Sequence, residues 1–310
     1  MSVINANDTK SIFQARKDYH SKYENELKIS GVLYPQQDET FVMEEHLTRL
    51  FSHLMLRASQ GFNPENVLLK GPQGCGKTET AMQFAAIAGL PVLKVNCALI
   101  REPRDWFGYK SAENGNVFWV KSEFAKLIER GGAVILLDEI SRATPPVLNS
   151  LLPLLDGTGV TFLEEVKQSI RRGPDLYFFA TANLGNQFTG TYGSLDKALD
   201  DRFAIRINAT YLPAAKEVQL LMNRTGIDKG VAKKLVDVAN LVRNNSAANF
   251  GGKLSSTIST RNLLDTATLY RSMGKDCFEY TLLPLFCSKG GVKSQEAEVR
   301  QIIQSQFGSF

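Results

Sequence analysis

The spacing of apolar positions along the chain changes twice. From Phe41 to Ser59, Val42, Leu47, Leu50, Phe51, Leu54 and Leu56 recur at helical spacing and predict an amphipathic helix, which Gly61-Phe62-Asn63-Pro64 ends. The next 120 or so residues carry four nearly continuous apolar runs, Val67–Leu69, Pro91–Val95, Ala133–Leu137 and Leu176–Ala180, separated by helical stretches. Unbroken apolar runs suit parallel strands buried on both faces. The alternation of strand and helix predicts an α/β layered parallel sheet. Beyond Ala209 the strand signal fades, and Ala214–Met222, Val231–Val242, Arg261–Tyr270 and Ala297–Phe307 read as helices.

Two hairpins are predicted inside the alternating region. Asn114-Gly115 separates Tyr109 from the Val117-Phe118-Trp119-Val120 run, a strong tight-turn signal. The second runs from Val160–Leu163 towards Ser169-Ile170. Trp106, Phe107, Phe118 and Trp119 are expected mainly to pack the first hairpin, with Tyr109-Lys110 as its best candidates for outward contacts. The polar N-terminal stretch reads as a helix or mobile arm. The expected organisation is an arm at 1–35, an α/β core at 36–208 with hairpin inserts near 105–120 and 158–172, and a smaller helical part at 209–310.

Composition narrows the class. The chain has 310 residues, 43% hydrophobic and 22% charged, in the ordinary globular range. Its net charge of +4 neither demands nor excludes a nucleic-acid partner. From Ala209 onward there are 13 Lys and Arg against 8 Asp and Glu, so the positive charge belongs to the helical part. Four scattered cysteines form no CxxC pair, which argues against a disulfide framework or zinc site and fits a reducing compartment. The three histidines read as surface or packing residues. No stretch approaches the roughly 20 apolar residues of a membrane span, and a cytoplasmic location is expected.

The chemistry starts at Gly71-Pro72-Gln73-Gly74-Cys75-Gly76-Lys77-Thr78, which matches GxxxxGK[ST] between an apolar strand and a helix. Glycines let successive amides point inward at a phosphate, beside a helix N-terminus that favours negative charge. Lys77 is expected to reach the β- and γ-phosphates and Thr78 to offer its hydroxyl to Mg²⁺, with Glu79 continuing the nucleotide-binding stretch. The Ala133–Leu137 strand ends in Asp138-Glu139: Asp138 would hold Mg²⁺ through its water shell and Glu139 would deprotonate the attacking water. Asn183, following Thr181-Ala182 at the end of the fourth strand, suits a residue bridging water and γ-phosphate.

In this order the pieces resemble the AAA+ ATPases, from roughly Phe41 to Tyr270. The glycine loop looks like their Walker A, Asp138-Glu139 like Walker B, and Asn183 like sensor 1. Asp200-Asp201-Arg202-Phe203 resembles the segment carrying the arginine finger, and Ser259-Thr260-Arg261 the sensor 2 segment. Asp138-Glu139-Ile140-Ser141-Arg142-Ala143 is similar to the signature of the MoxR, CbbQ/NorQ, CobS and McrB branch, with Ser141 in place of its usual Asn. The hairpins would then be that branch's helix-2 and pre-sensor-1 inserts.

The resemblance implies a catalytic set of Glu139, Asn183 and Arg202, with Arg142 as a second intersubunit cation and Arg261 on the nucleotide. It also implies a ring, usually a hexamer, because Arg202 would act on the neighbouring subunit's nucleotide. Three functions stay open: an ATP-driven motor remodelling a protein partner, often of von Willebrand A type; a nucleic-acid-directed motor of McrB-like kind, with GTP as the alternative nucleotide; and a CobS-like chelatase motor subunit. A nucleotide-gated scaffold is disfavoured by intact Glu139, Asn183 and Arg202. Lys229, Lys233 and Lys234 lend the nucleic-acid reading a little support, but such a run is usually a solvated face.

Overall fold

The computed structural model describes residues 31–183, 195–246, 254–286 and 293–310. Most of the N-terminal arm, His20 and Cys287 lie outside the described residues. The described residues divide into two compact units: those up to 38, within 43–70 and within 77–208 in the first, and those within 39–42, 71–76 and 209–310 in the second. The second unit therefore gathers two short segments from the stretch that the sequence reads as core.

The first unit is built on a six-stranded sheet. Its strands are β1 (Val32–Leu33), β2 (Val67–Lys70), β3 (Val92–Asn96), β6 (Ala133–Asp138), β9 (Leu176–Ala182) and β10 (Ile205–Asn208), in the order β1-β3-β6-β9-β2-β10. All neighbours are parallel except β1, which runs antiparallel to β3. The four predicted strands form the centre. Both edge strands were missed, for different reasons. Two-residue β1 is too short to show a period, and β10 exposes alternate residues, as a strand covered on one face does. Pro91, predicted as the start of β3, lies just outside it.

Each central strand sends successive side chains to opposite faces. Val67, Leu69, Val134, Leu136, Tyr177 and Phe179 pack with α1 (Glu45–Ser59) and α2 (Lys77–Ala88). Phe84 of α2 is central there, with ring centroids 5.0 Å from Phe51 and 4.9 Å from both Tyr177 and Phe179. Leu68, Ile135, Leu137, Phe178 and Ala180 face the other way, onto α3 (Glu123–Arg130) and the short helices α4 (Pro145–Asn149) and α5 (Leu152–Leu155).

Both hairpins form. β4 (Gly108–Glu113) pairs with β5 (Asn116–Lys121) through Asn114-Gly115, whose φ values of 51° and 79° are those of the tight turn that matches strand twist. β7 (Val160–Leu163) pairs with β8 (Gln168–Arg171). Trp106 and Phe107 are buried as expected, the Trp106 indole donating to the Val147 carbonyl at 3.0 Å. Phe118, expected to pack, is instead exposed with Tyr109 and Val117. Short helix α6 (Lys197–Asp201) precedes β10.

The second unit is helical: α7 (Ala214–Thr225), α8 (Lys229–Asn244), α9 (Thr260–Met273), α10 (Phe278–Thr281) and α11 (Lys293–Phe307). Leu221, Leu235, Val238, Val242, Leu263, Phe278 and Ile303 meet in its core. That core also holds charge. Glu217 is fully buried and receives Arg243 Nη1 and Nη2 at 2.8 and 2.9 Å and the Thr260 hydroxyl at 2.6 Å.

Candidate active site

In the first unit, the C-terminal ends of the parallel strands β6 and β9 and the first turn of α2 bring the chemistry together. This is the strand end at which open α/β sheets place their ligands. Asp138, the last residue of β6, has a carboxylate with three partners. The Thr78 hydroxyl donates to Oδ1 at 3.0 Å, the Thr181 hydroxyl donates to the same oxygen at 2.6 Å, and Lys94 Nζ lies 2.9 Å from Oδ2. Burial alone would push the Asp138 carboxyl up; the Thr181 hydroxyl, the Lys94 ammonium and the Thr78 hydroxyl outweigh it and hold the pKa below its ordinary value.

Glu139 follows in the left-handed region, φ 55° and ψ 44°, uncommon for a long side chain. Its N–H donates to Thr181 Oγ1 at 2.9 Å. Its carboxylate oxygen Oε2 lies 3.1 Å from Arg142 Nε on the same turn, so Arg142 pairs within its own chain. Asn183 follows β9, 8% exposed, and its Oδ1 has no hydrogen-bond partner among the described residues. A buried amide oxygen in that condition is available to a ligand or water. The buried Ser141 hydroxyl lies 3.5 Å from the Asn183 carbonyl, at the outer limit of a hydrogen bond.

Arg202 caps α6. Its carbonyl accepts from Asn66 Nδ2 at 2.8 Å, and its buried Nε is unpaired among the described residues. Neighbouring Asp200 is tied to Lys70 at 2.7 Å and Arg206 at 3.0 Å, so the acidic side chain before the arginine serves to hold the turn.

Within the second unit, the glycine arc 71–76 is shaped by close backbone approach. A Cβ on Gly71 would lie 2.2 Å from the Ala209 carbonyl oxygen, and one on Gly74, at φ 69°, 2.6 Å from Ser259. Ser259 caps α9 through a reciprocal pairing with Asn262. Arg261, on the first turn of α9, is exposed, and its Cβ lies 3.5 Å from that position on Gly74. The Tyr211 hydroxyl donates to the Gln73 carbonyl at 3.1 Å, with the Arg243 guanidinium 3.9 Å from the ring centre. Burial pushes the Tyr211 phenol up to about 12, so it stays a donor at neutral pH.

Among the described residues no group of three or more His, Cys, Asp or Glu gathers to hold a metal. The Thr78–Asp138 oxygen pair fits a Mg²⁺ held mainly by water and substrate phosphates. Sequence reasoning missed Lys94, Tyr211 and any role for Thr181. A lysine interrupting the apolar run of β3 was the available signal for Lys94; Tyr211 had none.

Comparison with known proteins bears on the family and the fold. Residues 66–203 match the AAA domain family of the dynein-related subfamily, and residues 217–277 match the CbbQ/NirQ/NorQ C-terminal family. The putative chaperone BssE of Thauera aromatica is 33% identical over 222 residues, 70% of this chain and 76% of BssE. The chain belongs to the MoxR-like AAA+ ATPases. NorQ of Paracoccus denitrificans is 27% identical over 81% of this MoxR-like chain and 86% of its own length. Two solved structures share the AAA+ fold. The Thermotoga maritima RuvB Holliday junction branch migration motor has a TM-score of 0.52 at 15% identity, covering 89% of this chain and 75% of RuvB. The FIGL-1 AAA domain in complex with ADP has a TM-score of 0.52 at 14% identity, covering all of both chains. Membership in this family carries nucleotide binding with it. Among the described residues no helix is long and apolar enough to cross a membrane.

Proposed function

We propose that this MoxR-like chain is an ATP-hydrolysing motor that works in the cytoplasm as a ring, with six subunits as the first expectation, and remodels or activates a partner protein. One observation carries the hydrolytic reading: the Thr78 hydroxyl of the phosphate loop is bonded to Asp138 at the tip of a buried strand, directly before Glu139. In this reading Gly71–Gly76 and Lys77 hold the phosphates, with Glu79 beside them. Thr78 and Asp138 would hold Mg²⁺, which would supply neutralisation of the charge that develops in phosphoryl transfer. Glu139 takes the proton of the attacking water, and Asn183, whose amide oxygen is unpaired among the described residues, orients that water. Arg202 acts on the nucleotide of the next subunit, a contribution of about 10³–10⁵ in rate where such fingers operate. Arg261 reads the nucleotide from α9.

Arg142 was expected as a second intersubunit cation. Its pairing with Glu139 at 3.1 Å supports a resting contact that Glu139 leaves when it turns to water. The protein-directed reading draws on the chaperone description of BssE and on the exposed Tyr109, Val117 and Phe118 of the first hairpin, which suit a protein surface, a von Willebrand A-type adaptor among them.

The test is a Glu139→Gln variant. It should bind ATP with wild-type affinity, turn over at less than about a hundredth of the wild-type rate, and retain its ring and its partner for recovery by co-purification. Normal turnover would remove the base assignment. Steep stimulation of wild-type turnover by DNA at low salt, with none by the recovered protein, would replace the protein partner with a nucleic acid.

A further inference from the structure

Thr181 makes two bonds that no role assigned so far uses. Its side chain is 2% exposed, between the central strands, so its hydroxyl has little access to water. The hydroxyl proton goes to Asp138 Oδ1 at 2.6 Å, and the oxygen accepts the Glu139 N–H at 2.9 Å. One small side chain on β9 therefore grips the Asp138 carboxylate and the Glu139 backbone on the neighbouring strand, across a sequence gap of more than 40 residues. The grip falls at the residue whose backbone is in the left-handed region, where a long side chain is held only when its surroundings dictate it. The peptide between Asp138 and Glu139 sets the direction in which each carboxylate leaves the strand. An ionised acceptor fixes which way the hydroxyl points, and that leaves its lone pair facing the Glu139 amide.

We propose that Thr181 is a positioning residue that clamps the Asp138–Glu139 peptide, aiming Glu139 at the attacking water while holding Asp138 towards Thr78. The proposal rests on the hydrolytic reading above. It assigns Thr181 no contact with nucleotide.

Thr181→Val keeps the shape and removes both bonds; Thr181→Ser keeps both. The Val variant should lose roughly 10- to 100-fold in kcat with KM changed by less than about 3-fold, the loss expected for a charge-assisted bond and a backbone bond removed together. The Ser variant should restore kcat to within about 5-fold of wild type. A readout free of nucleotide accompanies these: exchange of the Glu139 amide with deuterium, about 10-fold faster or more in Val and near wild type in Ser. Wild-type kcat in the Val variant, an unchanged Glu139 amide, or equal loss in Ser and Val would each overturn the clamp. Glu139→Gln assayed alongside separates the two readings. If wild type and Glu139→Gln are equally inactive, the hydrolytic reading fails, while amide exchange still decides whether Thr181 holds the peptide.

Discussion

Replacing Arg243 with Met should destabilise the helical unit more than any exposed substitution there. Arg243, 8% exposed, donates Nη1 and Nη2 to the fully buried Glu217 at 2.8 and 2.9 Å and Nε to the Ile258 carbonyl at 2.8 Å. Its guanidinium also lies 3.9 Å from the Tyr211 ring centre. Met fills much of the volume but, among the described residues, leaves the Glu217 carboxylate with only the Thr260 hydroxyl at 2.6 Å. Stranding one member of a buried pair costs about 3–5 kcal/mol, and losing the ring contact adds about 0.5–2 kcal/mol. The two overlap, so a net loss of about 4–6 kcal/mol is expected, a large part of the ~5–15 kcal/mol that typically holds a domain together. The measurement is urea unfolding followed by far-UV ellipticity, with amide exchange in α8 reporting the helical unit by itself. The double variant Glu217→Leu, Arg243→Met removes both charges and should return to within about 2 kcal/mol of wild type, because apolar replacement of a whole buried pair is often neutral or better. A cost under about 1 kcal/mol for Arg243→Met, or a double variant no more stable than the worse single one, would refute this account of the pair. The same loss should loosen the Gly71–Gly76 arc, because Tyr211 braces Gln73.

Two further outcomes follow from the site. Mixing Arg202→Ala subunits with Lys77→Ala subunits should restore part of the activity that each lacks alone; turnover that stays at baseline at every mixing ratio would show that Arg202 does not act between subunits. Acid unfolding tests the Asp138 contacts. The folded carboxyl lies below its ordinary value of 3.8, so its stabilising contribution is complete above that pH and is lost as pH falls through the lower folded-state value. Lys94→Met should move the onset of acid unfolding to higher pH and cost about 0.2–1 kcal/mol at neutral pH, a small figure because Lys94 is 40% exposed. Near-UV ellipticity follows the first unit, which holds both tryptophans, Trp106 and Trp119; superimposable titrations of the variant and wild type would count against the ion pair.

Much of what depends on short stretches of chain was legible in the sequence, the edge strands and the Glu123–Arg130 helix excepted. The glycine loop, the four central strands, the Asn114-Gly115 turn and the ends of the main helices each follow from local backbone preference and apolar period, and all appear where expected within a few residues. Asp138, Glu139 and Asn183 could be picked out because they stand at the ends of buried strands, where a polar residue interrupts an apolar run. Tertiary structure alone decided which side chains answer them. Lys94 reaches Asp138 from one neighbouring strand and Thr181 from the other, Tyr211 meets a carbonyl 138 residues away, and Arg243 finds Glu217 across 26 residues. Such pairings follow from strand order and helix packing, which no local period encodes. The left-handed turn at Glu139 belongs with them: nothing in Asp138-Glu139 favours it, and the hydroxyl that accepts the Glu139 amide comes from another strand.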